Sequence, residues 1–250
     1  MKVLSIDLDY IMSPTIELYQ EIYFNDNPLT RWDLLYNSTD FRESHLYIDQ
    51  ANLLFCYETF LKALNHCDNV KFGYEHDAIL YELFDKEDIE IVNIDHHDDF
   101  VSAEFSSRYQ DGLSIEYNLV SNYDRVHEGN WVSWLHSKNK LKKYIWIYNE
   151  NSKNIDRNQF NIDLMEKKYE YYLKSEYQGE DYNFDYVFVC LSPQYVPKNH
   201  WHYFTMFMMA YEQKTGKKVD MRSFENKKFE FELRYKQITD EILHKRPDGR

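Results

Sequence analysis

Short apolar runs and longer segments with helical spacing alternate along this chain. The clearest short run, residues 89–94, is rich in β-branched residues and lacks strict apolar–polar alternation, so it predicts a strand buried in a parallel sheet. Further strands are predicted at residues 2–6, 70–74, 144–148 and 186–191. Such runs, separated by helical segments, predict one α/β domain over residues 1–250 with a mainly parallel sheet.

The helical segments differ in how clearly their pattern marks them. Residues 49–65 are the best helix, because Asp49 suits an N-cap and the apolar residues recur near a 3.6-residue spacing. Helices are also predicted at 78–85, 201–214 and 224–243. Residues 164–177 carry Tyr and Leu at mixed spacing, which leaves a helix or an extended hairpin open.

Acidic residues and histidines follow the predicted strands where each apolar run stops. Asp7 and Asp9 follow the first run, and Asp95, His97 and Asp99 follow the run at 89–94. Because ligands bind at the carboxyl edge of parallel sheets, these side chains are expected to face one cleft. Asp7 and Asp9, two residues apart on an extended segment, would point the same way and repel each other unless a cation lies between them.

His76 occupies the same kind of position, after a strand and before a helix. Taken alone, it would more often be a structural histidine, and the Asp/His cluster at 95–99 would about as often be a solvated loop. Together the chain offers six candidate ligands: Asp7, Asp9, His76, Asp95, His97 and Asp99. Four carboxylates and two imidazoles exceed the needs of one ion with an open position and suit two divalent ions such as Mn²⁺.

Composition and charge narrow the function classes. The net charge of −14 provides no basic field, so nucleic acid and anionic membranes are not expected as partners, whereas a cationic substrate would be attracted. Three cysteines without a Cys-x-x-Cys pair argue against a disulfide framework. No apolar run is long enough for a membrane span and no secretory signal precedes residue 3, so a cytoplasmic protein is expected.

Four short segments resemble a known family. Residues 95–99, Asp-His-His-Asp-Asp, resemble the Asp-Ala-His-x-Asp motif of arginases and other ureohydrolases. Residues 5–9 resemble their Ser-x-Asp-x-Asp motif, and residues 74–79 a weakened form of their Gly-Gly-Asp-His-Ser segment. Residues 127–135 are loosely similar to the loop with their histidine proton shuttle. The resemblance implies a three-layer α/β/α sandwich of the arginase–deacetylase type.

The chain also departs from arginases. Their Ser-x-Asp-x-Asp strand comes late, whereas here it is the first strand, which implies a rearranged strand order. Met12, Ser13 and Pro14 stand where arginases have Asp-Pro, and no residues match those that grip a free amino acid. The chain thus looks like the divergent branch of peptide arginases, which convert arginine side chains in ribosomally made peptides to ornithine and urea. An arginine-containing peptide is therefore the expected partner.

The resemblance also implies roles for individual residues. Asp95 and Asp7 would bridge two Mn²⁺ ions, with His76 and Asp99 completing one site and His97 and Asp9 the other. His127 or Glu128 would act as the proton shuttle, and Asn130 would help to position the guanidinium. Five aromatic side chains could line an open substrate channel, although such residues could also belong to the ordinary hydrophobic core. They are Trp131, Trp134, Tyr195, Trp201 and His202.

Two alternatives stay open on the sequence. One is a deacetylase-like amidohydrolase with a single Zn²⁺ held by an Asp-His-Asp set, which would leave the Asp7/Asp9 pair without a purpose. The other is a catalytically silent binding protein on the same fold. The oligomeric state and the physiological peptide do not follow from the sequence.

Overall fold

A computed structural model describes residues 1–13, 47–100, 128–152, 169–179 and 182–219. The helix predicted at 224–243 lies outside the described residues. The strands are β1 (Lys2–Asp7), β2 (Met12–Ser13), β3 (Tyr47–Ile48), β4 (Val70–Gly73), β5 (Ile89–Ile94), β6 (Leu141–Tyr148), β7 (Tyr169–Leu173) and β8 (Tyr186–Cys190). The α-helices are α1 (Gln50–Ala63), α2 (Leu80–Leu83), α3 (Trp131–Ser137) and α4 (His202–Thr215), and 3₁₀ turns span Leu8–Ile11, His76–Ile79 and Lys198–His200.

Six of these strands form one sheet in the order β4-β8-β1-β5-β6-β7, and every pair in it is parallel. The prediction of an α/β fold with a mainly parallel sheet is confirmed. The first strand of the chain lies in the middle of the sheet, with Val3 opposite Ile91 of β5 on one side and Tyr186 of β8 on the other. The carboxyl ends of β1, β5 and β8 therefore meet at one edge.

Helices cover both faces of the sheet, because successive side chains of each strand point to opposite sides. On β1, Leu4 and Ile6 join the core under α1 and α4, whereas Val3 joins the core under α2 and α3. On β6, Ile145 and Trp146 are divided between the two cores in the same way. Helix–sheet–helix layering follows from this alternation.

Three elements differ from their predicted form. The segment 164–177 is neither a helix nor a hairpin where it is described: β7 is a parallel edge strand that pairs Tyr144 with Tyr169. Four of its five side chains are half-buried and Tyr171 is exposed, which explains why the sequence shows no clean alternation of apolar and polar residues there. The predicted helix at 78–85 is a 3₁₀ turn and a single α-turn, and β6 begins at Leu141, three residues early. Within the described ranges no helix is long and apolar enough to cross a membrane.

Candidate metal centre

Three neighbouring regions of the sheet deliver the acidic cluster. Asp7 is the last residue of β1, and Asp95 directly follows β5, whose Ile94 pairs with Ile6. His76 begins the 3₁₀ turn that follows β4, two strands away from β1 and next to β8. Parallel pairing therefore brings residues far apart in sequence to one edge, as expected for ligand sites in open α/β sheets.

The side chains of Asp7 and Asp9 are oriented by a 3₁₀ turn and not by the extended strand that the sequence predicts. Asp9 does not continue the strand but lies in the 3₁₀ turn Leu8–Ile11, which Asp7 caps. The Asp7 carboxylate accepts a hydrogen bond from the Asp9 backbone N–H at 3.1 Å. Capping thus orients Asp7, and the turn aims Asp9 at a neighbouring position. Both side chains are buried, as are the apolar residues Ile6 and Leu8 beside them.

His76 lies at the centre of the first group of ligands. Its Nδ1 atom lies 3.0 Å from Asp95 Oδ2, 3.1 Å from Asp99 Oδ2 and 3.2 Å from Asp7 Oδ2. This buried nitrogen makes a well-directed hydrogen bond to none of them. In an octahedral site with metal–ligand distances of about 2.1 Å, adjacent ligand atoms lie about 3.0 Å apart. Asp7, His76 and Asp95 are close enough together to hold one ion, and Asp99 faces the same nitrogen.

Each member of this group also has a polar partner outside the group, and on the three carboxylates that partner contacts the same oxygen that faces His76. The other ring nitrogen of His76 lies 2.6 Å from the Ser5 hydroxyl, which leaves Nδ1 free for a metal if Nε2 carries the proton. The three carboxylates accept hydrogen bonds from Ser192 (to Asp7), Asn93 (to Asp95) and the Trp131 indole (to Asp99). Such partners orient metal ligands and raise their basicity.

His97 and Asp9 form a second group that shares Asp95 with the first. His97 Nδ1 lies 3.0 Å from Asp9 Oδ2 and 3.7 Å from Asp95 Oδ1, while Asp95 Oδ2 faces His76. The His97 backbone N–H donates to Asp95 Oδ1 at 2.8 Å, so the loop after β5 fixes the shared carboxylate. Asp9, Asp95 and His97 could hold a second ion. The two oxygens of one carboxylate thus face two different imidazoles.

Burial and crowding dominate the electrostatics of the cluster. Burial and the neighbouring charges of Asp7 and Asp95 raise the pKa of Asp9 well above its usual value, and burial and Asp95 do the same for Asp99. Burial would lower the pKa of His76, but the facing carboxylates outweigh it and raise that pKa. Burial likewise opposes ionisation of Asp95, yet its close contacts with the imidazoles of His76 and His97 hold its pKa well below the usual range. A divalent cation would neutralise these crowded carboxylates.

Two residues next to the ligands, His96 and Asn93, have contacts that the sequence does not predict. His96 turns away from the cluster, with Nε2 2.9 Å from the Met12 carbonyl and Nδ1 3.0 Å from the Ser152 hydroxyl. Asn93 was hidden inside the apolar run, yet it donates to Asp95 and to the Tyr144 hydroxyl, at 3.2 Å and 3.0 Å. A polar residue in an otherwise apolar buried strand is the signal that could have indicated Asn93.

The structure does not bring the predicted catalytic residues into either group of ligands. His127 lies outside the described residues. Glu128 and Asn130 are half-buried in the turn before α3, and among the described residues the two candidate metal groups include neither. The turn with Glu128 and Asn130 is connected to the cluster only through the next residue, Trp131. Its indole donates to Asp99, and its ring centroid lies 5.0 Å from that of His76.

The predicted aromatic wall separates into two sets. Trp131 and Trp134 are fully buried in the core under α3, so they cannot wall an open channel. Tyr195 lies beside the centre, with its ring centroid 5.1 Å from that of His97. Trp201 donates to the Val196 carbonyl, and His202 is exposed at the start of α4. Trp131 thus contacts its candidate ligands from inside the core, whereas Tyr195 contacts His97 from the more exposed side of the centre.

Comparisons with known proteins do not identify the chain. No family model, no curated protein and no solved structure matches it. The assignment of a metal centre consequently rests on the geometry and chemistry of these side chains.

Proposed function

We propose that this protein is a hydrolase with two Mn²⁺ ions that converts arginine side chains within a peptide to ornithine and releases urea. The observation that carries the proposal is the position of Asp95, whose two oxygens face His76 and His97 in two overlapping ligand groups. A carboxylate shared between two sites is the arrangement in which two ions act on one substrate.

The donor set favours manganese over zinc. Four carboxylates and two imidazoles surround the two positions, and hard oxygen donors with some imidazole suit Mn²⁺. A deacetylase-like centre with one Zn²⁺ would need only one of the two groups. An ion in the group of Asp7, His76 and Asp95 alone would leave Asp9 and His97 without a metal to bind.

The reaction proposed is addition of water to the guanidinium carbon. Two divalent ions held by the His76 and His97 groups would supply hydroxide near neutral pH. After this addition, the bond between the carbon and the side-chain nitrogen breaks, the nitrogen takes a proton and leaves as the ornithine amine, and the carbon leaves as urea. His127 or Glu128 would carry that proton, and Asn130 would orient the guanidinium. The acidic surroundings and the net charge of −14 suit a cationic side chain.

The accessible side of the centre supports a substrate that enters as a long side chain. His97 is 30% exposed, whereas the other five candidate ligands are buried. A guanidinium could therefore reach the shared Asp95 from the side of His97 and Tyr195, and stack on the Tyr195 ring. An arginine in a peptide needs only this one opening for its side chain.

The test compares substrates on the Mn²⁺-loaded protein. We expect a much higher kcat/KM for arginine within a peptide than for free arginine, and mass spectrometry should show a loss of about 42 Da per conversion, as urea release requires. The matched control peptide carries Lys in place of Arg, and an acetyl-lysine peptide tests the deacetylase alternative. Faster urea release from free arginine than from any arginine-containing peptide would contradict the peptide assignment. Failure to bind any divalent ion would leave the silent binding protein.

A further inference from the structure

We propose that Ser192, at the carboxyl end of β8, is a positioning residue that fixes Asp7 for metal binding. The inference rests on the proposed metal centre, but not on the reaction or the substrate. No motif discussed above contains Ser192, because β8 contributes no charged residue to the cluster. Ser192 comes two residues after β8, the strand next to β1, and this position brings it to Asp7.

The first step of the argument is the contact itself. Ser192 is 2% exposed, and its hydroxyl is hydrogen-bonded to Asp7 Oδ2, the oxygen that lies 3.2 Å from His76 Nδ1. An ionised carboxylate only accepts hydrogen bonds, so the hydroxyl is the donor. The other oxygen, Oδ1, accepts the Asp9 backbone N–H. Both oxygens are therefore held, and the plane of the carboxylate is fixed before an ion arrives.

A buried thiol supports this hydroxyl from behind. Cys190 Sγ lies 3.3 Å from the Ser192 hydroxyl oxygen and 3.5 Å from the Tyr74 carbonyl. The single thiol proton is directed to the Tyr74 carbonyl, which can only accept a hydrogen bond. The Ser192 hydroxyl therefore keeps its own proton for Asp7, and the thiol packs behind it.

The backbone of Ser192 points to the same conclusion. Its φ of 47° lies in the left-handed region, which non-glycine residues rarely adopt. Hydrogen bonds hold it there: its N–H donates to the Tyr74 carbonyl at 3.1 Å, and its carbonyl accepts from Tyr195 and Val196, both at 2.9 Å. Glycine would fit this conformation without strain. A serine here is explained if its hydroxyl is needed.

The experiment separates the hydroxyl from the backbone with two variants. Ser192→Ala removes the hydroxyl and keeps the strain, whereas Ser192→Gly removes both. Mn²⁺ binding is followed by titration calorimetry and electron paramagnetic resonance, and thermal unfolding is recorded without metal. The control is Ser133→Ala, because the buried Ser133 hydroxyl makes no hydrogen bond among the described residues.

We expect both Ser192 variants to bind the ion at the Asp7 group about 10–100-fold more weakly, the usual effect of losing a partner of a metal ligand. Binding at the Asp9 group and binding by Ser133→Ala should stay unchanged. Ser192→Gly should unfold at a higher temperature than Ser192→Ala, so stability and metal affinity would separate. Wild-type affinity in both variants, or affinity restored by glycine, would overturn the role of the hydroxyl alone. A wild-type protein that binds no Mn²⁺ would overturn the proposed function and this inference together.

Discussion

The two histidines of the candidate metal centre share Asp95 but have very different surroundings. The His76 side chain is 1% exposed, flanked by the rings of Trp131 and Phe188 and hydrogen-bonded through Nε2 to Ser5. The His97 side chain is 30% exposed and contacts Tyr195 at the edge of the cluster. One half of the centre is thus built like a core, and the other half opens to solvent.

This difference in exposure suggests different roles for the two ion positions. An ion at the His76 group would be enclosed by ligands whose orientations are already fixed, as in metal sites that remain loaded. An ion at the His97 group would keep room for water and substrate, as catalytic sites require. The buried half would then set the metal content, and the open half would meet the substrate.

The largest effect is expected from Asp95, because it belongs to both halves. Asp95→Ala should reduce bound Mn²⁺ from two ions per chain to none and abolish metal-dependent activity, since each group loses a charged ligand. Asp95→Asn, which keeps the shape and removes the charge, should bind metal almost as poorly. Metal analysis after dialysis measures the content, and circular dichroism should show a largely unchanged fold.

The matched control for Asp95 is Glu87→Gln, which removes an exposed carboxylate that pairs with Lys140. It should retain both ions and full activity. If Asp95→Ala kept normal turnover with full metal content, Asp95 would be merely structural and the sharing of one carboxylate would mean nothing for function.

Fully buried and half-buried elements also differ in how well the sequence predicts them. The strands at 89–94 and 186–191 were predictable because a β-branched run buried on both faces leaves a clear pattern. The N-cap at Asp49 was predictable because capping is local: its carboxylate accepts from the N–H groups of Ala51 and Asn52. By contrast, the half-buried β7 has mixed burial, and only its pairing with β6 defines it.

Within the site, the ligand types could be proposed from local motifs, but their partners could not. Ser192 and Asp7 are separated by 185 positions, and Trp131 and Asp99 by 32. Only the order of strands in the sheet decides which of many serines and tryptophans reaches a carboxylate. The geometry of Asp7 and Asp9 differs from the prediction for a local reason: a 3₁₀ turn begins directly after Asp7, where the sequence pattern predicts that the strand continues.

A smaller effect is expected when only one histidine is removed. His76→Ala and His97→Ala should each leave about one ion per chain, because Asp95 still serves the remaining group. Both variants should lose activity if the reaction needs two ions. His76→Ala should also lose most of the thermal stabilisation by Mn²⁺, since its group is the enclosed one. His97→Ala should keep most of it.

Differential scanning fluorimetry with and without Mn²⁺ measures this difference, and metal analysis of the same samples gives the content. His202→Ala is the matched control, because His202 is exposed at the start of α4. Equal losses of stabilisation in His76→Ala and His97→Ala would show that the two halves do not differ in the way their burial suggests.

The smallest expected effect is a change of the free energy of unfolding with pH. It tests whether the buried carboxylates and His76 hold protons when no metal is bound. In the metal-free protein, burial raises the pKa of Asp98 to about 6 and of Asp9 and Asp99 well above 3.8. The pKa of His76 is also raised, because its facing carboxylates outweigh burial. All four groups hold protons more tightly folded than unfolded, so the free energy of unfolding falls as pH rises through these raised values.

The metal-free protein should therefore melt at a lower temperature at pH 8 than at pH 5, by on the order of 5 °C. Asp95 acts in the opposite sense, but only at acid pH, because the stability from its lowered pKa is lost as pH falls below about 4. With saturating Mn²⁺ the trend from pH 5 to pH 8 should reverse, since deprotonated ligands bind the ions more tightly. Melting curves at a series of pH values, with EDTA or with Mn²⁺, test both slopes. A metal-free protein that became more stable between pH 5 and pH 8 would show that the buried cluster does not retain its protons. Melting temperatures that changed with pH in the same way in Mn²⁺ as in EDTA would show that these residues do not bind the ion.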